Sequence, residues 1–226
     1  MGNSFGLSAP QGSRSRNFTA WRPGAMRPAP QPRVGLHGAV GGGHNAPSRR
    51  RGEEPIQVQH IIVADSTPAW PACFERQRLA LAALFARASI EHVGSTSVPG
   101  LAAKPVIDIL IGASSLVEIE AQIAPLAALG FTYFPQHERV LPQRRYFARA
   151  AAAEPAVHLH AVVKGSAFWA QHRAFRDALR RQPRLAMEYA ALKRRLAQQF
   201  ANDREAYTDA KAPFIQAVLA RQGGAK

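Results

Sequence analysis

The amino-acid sequence predicts an α/β protein of the α+β kind, with a mixed sheet of about five strands, flanking helices and a C-terminal helical cap. Short apolar and β-branched runs alternate with helical patterns from residue 56 to residue 163, and the hydrophobic period is helical from about residue 166 onward. Of the 226 residues, 46% are hydrophobic, which is enough for one sizeable core in one domain. No apolar run is long enough to cross a membrane, so we expect no membrane partner.

The beginning of the chain differs in composition from the rest. Residues 1–55 are rich in Gly, Pro, Arg and Ser, and they hold eight arginines and two glutamates, so that +6 of the net charge of +14 belongs to this tail. Because it has few aliphatic residues and no period, it cannot repay the entropy of ordering and is predicted to be disordered. Three explanations stay open for this tail: it is a basic arm that contacts nucleic acid, it is a targeting segment, or it is an extension that results from a start codon assigned too far upstream.

The folded domain is predicted to cover residues 56–226, and its first elements follow from local patterns. Residues 56–63 alternate as in a strand, and Asp65-Ser66-Thr67-Pro68 is typical of the start of a helix that should reach about Arg87. Two further strands, residues 89–93 and residues 106–111, enclose a loop that contains glycine.

A capping box predicts the next helix. Ser115 and Glu118 form its pattern, Gly130 ends it, and Pro125 should kink or shorten it. Three runs with β-branched or aromatic residues then predict three more strands, joined by short polar loops: residues 131–134, 144–149 and 157–163.

The C-terminal part, from about residue 166, is predicted to be a helical cap or bundle. Pro183 fits the start of a helix, and Pro213 should kink or divide the last helix near Lys211. Tyr207 and Lys211 are four residues apart and therefore neighbours on one helical face. The run Lys193-Arg194-Arg195 is interpreted as a solvated face, because no aromatic residues are interleaved with it.

The most informative stretch is the loop after residue 93 together with the strand that follows it. The loop carries three hydroxyl side chains and Lys104, and the strand carries Asp108 among aliphatic residues. Charged groups are seldom buried unless they are paired or used. Two roles stay open for Asp108: it holds a metal ion bound to phosphate, or it accepts hydrogen bonds that fix the loop before it.

The run GSTSVPGLAAKPVIDI, residues 94–109, resembles the hallmark of the GrpB family, uncharacterised members of the nucleotidyltransferase superfamily. The resemblance includes Pro68-Ala69-Trp70, His158-Leu159-His160 and the segment from Phe175 to Ile215, so that it covers about residues 58–219. It implies a nucleotidyltransferase-like fold. It is much less specific for an activity, because one fold supports many functions.

The resemblance also implies a site for a nucleoside triphosphate or another phosphorylated small molecule. Gly94, Ser95 and Thr96 would cradle the phosphates, and Asp108 would hold Mg²⁺ and act with Lys104 in transfer of a nucleotidyl group to an unknown acceptor. Further contacts to phosphate or acceptor are expected from His160 and Lys211. Because guanidinium groups bind phosphate bidentately, three arginines of the strand 144–149 are also candidates: Arg144, Arg145 and Arg149. An arginine on a basic edge strand can equally be a solvated residue.

One position departs from the superfamily pattern. Strand side chains alternate, so residue 110 shares a face with Asp108, and a two-metal enzyme would carry a second carboxylate there. The residue is Leu110. His158 and His160 share one face of their strand and are candidate replacement ligands, although imidazole is a poor ligand for magnesium.

Because of Leu110, two alternatives to an enzyme stay open. The first is a nonenzymatic module that binds a nucleotide or phosphoanion, and the second is a protein that associates with nucleic acid through its basic tail. The single cysteine, Cys73, excludes an internal disulfide and agrees with a cytoplasmic location. A P-loop is excluded, since Leu101 follows Gly100 where lysine would be needed.

Overall fold

The computed structural model describes residues 60–152 and 154–223, and the tail of residues 1–55 lies outside them. Five strands form one mixed sheet in the order β1-β2-β5-β4-β3. β2 and β5 are parallel, whereas the other neighbours are antiparallel. The strands are β1 (Ser89–Val93), β2 (Val106–Ala113), β3 (Thr132–Tyr133), β4 (Arg144–Arg149) and β5 (Ala156–Val163). This sheet and its flanking helices confirm the predicted fold class.

Helices cover both the sheet and the C-terminal half of the domain. Three of them belong to the first half: α1 (Ala69–Ala82), α2 (Leu116–Glu120) and α3 (Ile123–Ala128). Four form the helical cap: α4 (Ala167–Arg181), α5 (Pro183–Gln199), α6 (Arg204–Asp209) and α7 (Ala212–Gly223). None of the helices in the described part of the chain combines the length and apolar character that a membrane-spanning helix needs.

Prolines mark three of the helix boundaries, as the sequence predicts. Pro183 is the first residue of α5, and Pro213 lies in the first turn of α7, so the last helix is divided at Lys211. The helix predicted over residues 115–130 is two helices, and Pro125 lies in the first turn of the second. Ser115 caps the first of them, since its side chain accepts the backbone N–H of Glu118 at 3.2 Å.

Two predictions at the beginning of the domain are wrong. The described part of the predicted strand 56–63 is not a strand: Ile61 N–H donates to the carbonyl of Ala201 beyond α5, and only Ala64 forms a bridge, with Ala103. This segment joins the loop to the helical half instead of extending the sheet. Helix α1 ends at Ala82, because turns after Leu81 bring Phe85 into the core.

The two faces of the sheet have different roles. Ile107, Ile109 and Ile111 of β2 are fully buried on one face, where they pack with α1, α2 and α3 in the main core. Leu110 lies on the other face in a smaller cluster with Phe168 and Trp169 of α4. Asp108 shares this second face, so the strand presents its one acid towards the helical half.

Candidate functional site

A cavity of about 500 Å³ lies between the second face of the sheet and helices α4 to α7. Its volume is in the usual range for sites of small molecules. Most of the residues predicted for the site line it: Gly94, Ser95, Thr96, Lys104, Asp108, Arg144, His158, His160 and Lys211. The structure therefore brings together residues from the loop, from β2 and β5 and from the turn before α7.

Asp108 lies beside two histidines of the neighbouring strand. Its Oδ1 atom is 3.5 Å from Nδ1 of His158 and 3.7 Å from Nε2 of His160. Burial disfavours the carboxylate, but hydrogen bonding from His158 and His160 outweighs burial and holds the pKa of Asp108 well below its usual range. Asp108 is therefore an anion at neutral pH.

The hydrogen bonds of Arg144 fix the protonation of His160. Arg144 Nη1 lies 3.2 Å from Nδ1 of His160, and its Nη2 lies 3.3 Å from Nδ1 of His137. Because a guanidinium only donates, both Nδ1 atoms accept, and neutral His160 carries its hydrogen on Nε2, which faces Asp108. Burial, with the charge of Arg144, lowers the pKa of His160 to about 4 despite Asp108. His160 is thus neutral at pH 7.

Glycine at position 94 lets the loop approach the carboxylate. Gly94 has φ 69° and ψ −173°, a conformation that is open essentially to glycine alone. A Cβ atom there would overlap Oδ2 of Asp108. Two of the three loop hydroxyls are used internally: Thr96 Oγ1 donates to the carbonyl of Val106 at 2.9 Å, and Ser97 Oγ donates to the carbonyl of Gly94 at 2.6 Å. The backbone N–H groups of the loop are thus the better candidates for an anion.

Three lysine amines reach the cavity from three different segments. Nζ of Lys104 and Nζ of Lys211 lie 5.6 Å and 4.3 Å from the ring centroid of Tyr207. Nζ of Lys193, on α5, lies 4.8 Å from the ring centroid of Tyr189. The predicted proximity of Tyr207 and Lys211 is confirmed, and both side chains face inward.

These lysines have no anionic partner in the part of the chain that the structure describes. Among the described residues, no carboxylate lies within salt-bridge distance of any of the three amines. Burial, together with neighbouring cations, lowers the pKa of Lys104 and of Lys211 to about 8 and that of Lys193 to about 7. A buried cation without a partner is costly, so the cavity is prepared for an anion that the described residues do not supply.

The interpretation of Lys193 as part of a solvated face is wrong. Its side chain is 2% exposed and donates a hydrogen bond to the carbonyl of Ala102 in the loop. Arg194 and Arg195, its neighbours in sequence, are exposed as predicted. The basic run is thus divided by helix geometry, because successive helical residues point in different directions.

Of the three arginines predicted for the site, Arg145 and Arg149 do not line the cavity. The guanidinium of Arg145 donates to Glu120 at 2.8 Å and 2.5 Å and lies 3.2 Å from Glu138. Arg144, the residue before it, lines the cavity instead. Neighbouring strand residues face opposite sides, and β4 presents Arg144 and Tyr146 to the site.

The arrangement does not provide a metal centre made of protein ligands alone. In residues 60–152 and 154–223, no three His, Cys, Asp or Glu side chains form a group that could hold a metal ion. Leu110 is fully buried among apolar side chains, where an unpaired carboxylate would be costly. Mg²⁺ is commonly held by one or two carboxylates and by phosphate oxygens of the substrate, and Asp108 fits that lesser role.

Comparison with known proteins identifies the family. The family model described as GrpB protein matches residues 60–221. This chain belongs to the GrpB family. The crystal structure of conserved protein GrpB from Enterococcus faecalis superposes with a TM-score of 0.64 at 32% identity, over 71% of this chain and 96% of that one. The predicted family, and the predicted extent of the match, are therefore confirmed.

Two curated relatives are longer than the region they share with this GrpB protein. UPF0157 protein YqkA from Bacillus subtilis is 35% identical over 149 residues, which are 65% of this chain and 43% of that protein. A protein named dephospho-CoA kinase from Mycolicibacterium paratuberculosis is 29% identical over 203 residues, which are 79% of this chain and 48% of that protein. This chain spans less than half the length of each.

Proposed function

We propose that this GrpB protein binds a nucleoside triphosphate, or a closely related phosphorylated small molecule, in the cavity above Asp108. The observation that carries the proposal is a set of cavity-lining cations that have no carboxylate partner among the described residues: the half-buried Lys104 and Lys211 and the buried Arg144 and Lys193. A polyphosphate would supply the missing negative charge, and charge-assisted hydrogen bonds in a partly desolvated site are the strong ones.

The phosphates would lie between the loop and the lysines. Ser95 and Thr96 begin a single 3-10 turn, and the backbone offers their N–H groups no partner there. Lys104 and Lys211 both line the cavity, and both amines lie near the Tyr207 ring. Together these donors surround an anion with both amides and ammonium groups.

The other end of the ligand would meet aromatic side chains of the helical cap. Phe168, Phe175 and Tyr189 line the cavity on α4 and α5. Phe175 and Tyr189 pack edge to face with ring centroids 5.2 Å apart. A flat base stacks on such surfaces with little dependence on its identity, which fits a nucleotide better than a bare polyphosphate.

A divalent cation would be shared between the protein and the ligand. Asp108 would supply one carboxylate, and the phosphate oxygens and water would complete the shell of Mg²⁺. When bound, the metal would neutralise charge on the phosphates. The finer form of the proposal is transfer of a nucleotidyl group to an acceptor hydroxyl with release of pyrophosphate, for which Lys104 would stabilise the developing charge.

A relative favours the same class of ligand. The name dephospho-CoA kinase, which belongs to a protein with a region similar to this chain, refers to phosphoryl chemistry on a nucleotide derivative. Dephospho-CoA and CoA are therefore added to ATP, GTP, CTP and UTP as test ligands.

Calorimetry on the full chain tests the proposal. Each ligand and inorganic tripolyphosphate are titrated with and without Mg²⁺ into wild type, Lys211→Met and Lys164→Met. Lys164 is exposed and outside the cavity, so its variant controls for loss of one charge and for non-specific attraction of anions to the basic tail. We expect only Lys211→Met to weaken binding, by roughly tenfold or more. Equal affinities of the two variants would refute the site.

A further inference from the structure

Side chains of the helical cap donate hydrogen bonds to carbonyl oxygens of the loop of residues 94–105 and to the carbonyl of His92 in β1, shortly before the loop. Arg176 Nη1 donates to the carbonyl of His92 at 3.0 Å. Arg180 donates twice to the carbonyl of Ser97, from Nε at 3.1 Å and from Nη2 at 2.7 Å. Three cations of α4 and α5, with Lys193 on Ala102 as the third, thus draw carbonyl groups towards the cap.

The bond from Arg180 is connected to the amides that face the cavity. Ser97 Oγ donates to the carbonyl of Gly94 at 2.6 Å, and its N–H donates to the same oxygen at 3.4 Å. A peptide unit is planar, with its C=O and N–H on opposite sides. The N–H of Ser95, which shares a peptide unit with the carbonyl of Gly94, therefore points away from Ser97.

We propose that Arg180 is a positioning residue for the anion site: by holding Ser97, it keeps the loop in the conformation that directs the N–H groups of Ser95 and Thr96 into the cavity. The inference rests on the proposed function. Arg180 does not line that cavity. It lies on the outer side of the loop, in a groove that Leu101 and Leu179 also line, so it acts through the loop and not by contact with the ligand.

A rival explanation is that Arg180 acts only through its charge. The next residue, Arg181, separates the two explanations, because it carries the same charge on the same helix and donates to Gln222 instead of the loop. Both arginines are exposed, so replacing either leaves the buried core unchanged. Arg180→Lys adds a second test, since it keeps the charge but cannot donate as a planar fork.

Two measurements on the full chain test the proposal. Amide hydrogen exchange of peptides that contain residues 94–98, in the ligand-free protein, reports the order of the loop. Calorimetry with inorganic tripolyphosphate and ATP reports the anion site. We expect Arg180→Ala to accelerate exchange in this segment alone and to weaken both ligands by about fivefold. Arg181→Ala should match wild type in both measurements, and Arg180→Lys should resemble Arg180→Ala.

The outcomes separate this inference from the proposed function. A wild-type protein that binds neither ligand would remove the proposed function, and the role of Arg180 in anion binding with it. A wild type that binds, with Arg180→Ala unchanged in exchange and affinity, would overturn the positioning role alone. Equal weakening in Arg180→Ala and Arg181→Ala, with Arg180→Lys at wild-type affinity, would assign the effect to charge and also overturn it.

Discussion

Gly94 and Asp108 approach each other so closely that a methyl group at residue 94 would overlap the carboxylate of residue 108. The contact lies at the end of the antiparallel pairing of β1 with β2, where Val93 is opposite Asp108. It sets the spacing between the loop amides and the acid. The glycine is therefore needed for its size as well as for its backbone conformation.

Replacing Gly94 by alanine should both strain the backbone and displace Asp108. The strain of a positive φ in this region costs about 1–3 kcal/mol, and the overlap with Asp108 adds to it. We expect a lower free energy of unfolding in urea and loss of tripolyphosphate binding. Gly100→Ala is the matched control, since Gly100 has φ 73° but an added Cβ would meet no atom within 4 Å. A Gly94→Ala protein as stable as Gly100→Ala would contradict the close contact.

Replacing Asp108 by asparagine should change anion binding in opposite directions with and without metal. The substitution removes a negative charge from the cavity but keeps the side-chain shape. Without Mg²⁺, tripolyphosphate should bind more tightly, because repulsion is lost. The additional affinity for ATP that Mg²⁺ provides should disappear if Asp108 holds the metal. Calorimetry measures both effects.

Glu205→Gln is the control for this experiment, because Glu205 lines the same cavity without contacting the histidines. In the Glu205→Gln protein, the affinity for ATP should still depend on Mg²⁺. If Asp108→Asn also keeps this dependence, Asp108 has the structural role and not the metal-binding one.

Local sequence patterns were sufficient for most of the sheet and for part of the site. The loop motif identified Gly94 and Asp108, and alternation along β5 placed His158 and His160 together on one face. The first pair belongs to one continuous motif. The second pair follows from the period of two that every extended strand has, so neither prediction needs information from distant segments. The prediction that Tyr207 and Lys211 are neighbours was also correct, although Lys211 lies in the turn between α6 and α7 and not on the helix of Tyr207.

The errors concern contacts between distant segments. Lys193 belongs to a basic run typical of a solvated face, but α5 packs over the loop and buries it against Ala102. Arg144 and Arg145 lie on opposite faces of β4, and strand pairing decides which of these faces meets the cavity. Tyr146 is opposite His160, so the even-numbered residues of β4 face the cavity. No local sequence pattern specifies this register between β4 and β5.

Anion affinity should fall as pH rises through the range in which the cavity lysines lose protons. Burial lowers the pKa of Lys193 to about 7 and those of Lys104 and Lys211 to about 8. Above these values the folded protein releases protons that the unfolded chain keeps, so ligand-free stability due to these groups increases with pH. An anion favours the protonated lysines and therefore binds best below the folded pKa values.

Thermal denaturation with and without tripolyphosphate, at about pH 6.5 and about pH 9, checks this expectation. The stabilisation by ligand should be larger at the lower pH, and Lys211→Met should reduce the difference between the two values. Stabilisation that does not change with pH in wild type would show that the lysines keep their charge throughout and do not couple protons to binding.

Arg144 should control both the tautomer and the pKa of His160. The charge of Arg144 is among the causes that lower this pKa to about 4, and its Nη1 makes Nδ1 of His160 an acceptor. In Arg144→Met, the pKa of His160 should rise, and the preference for hydrogen on Nε2 should weaken because no donor remains at Nδ1. Nitrogen-15 NMR of the imidazole rings during a pH titration measures both quantities. Arg145→Met, which removes the same charge from the opposite face of β4, should leave the His160 signals unchanged; an equal shift in both variants would mean that Arg144 acts by general charge and does not fix the ring.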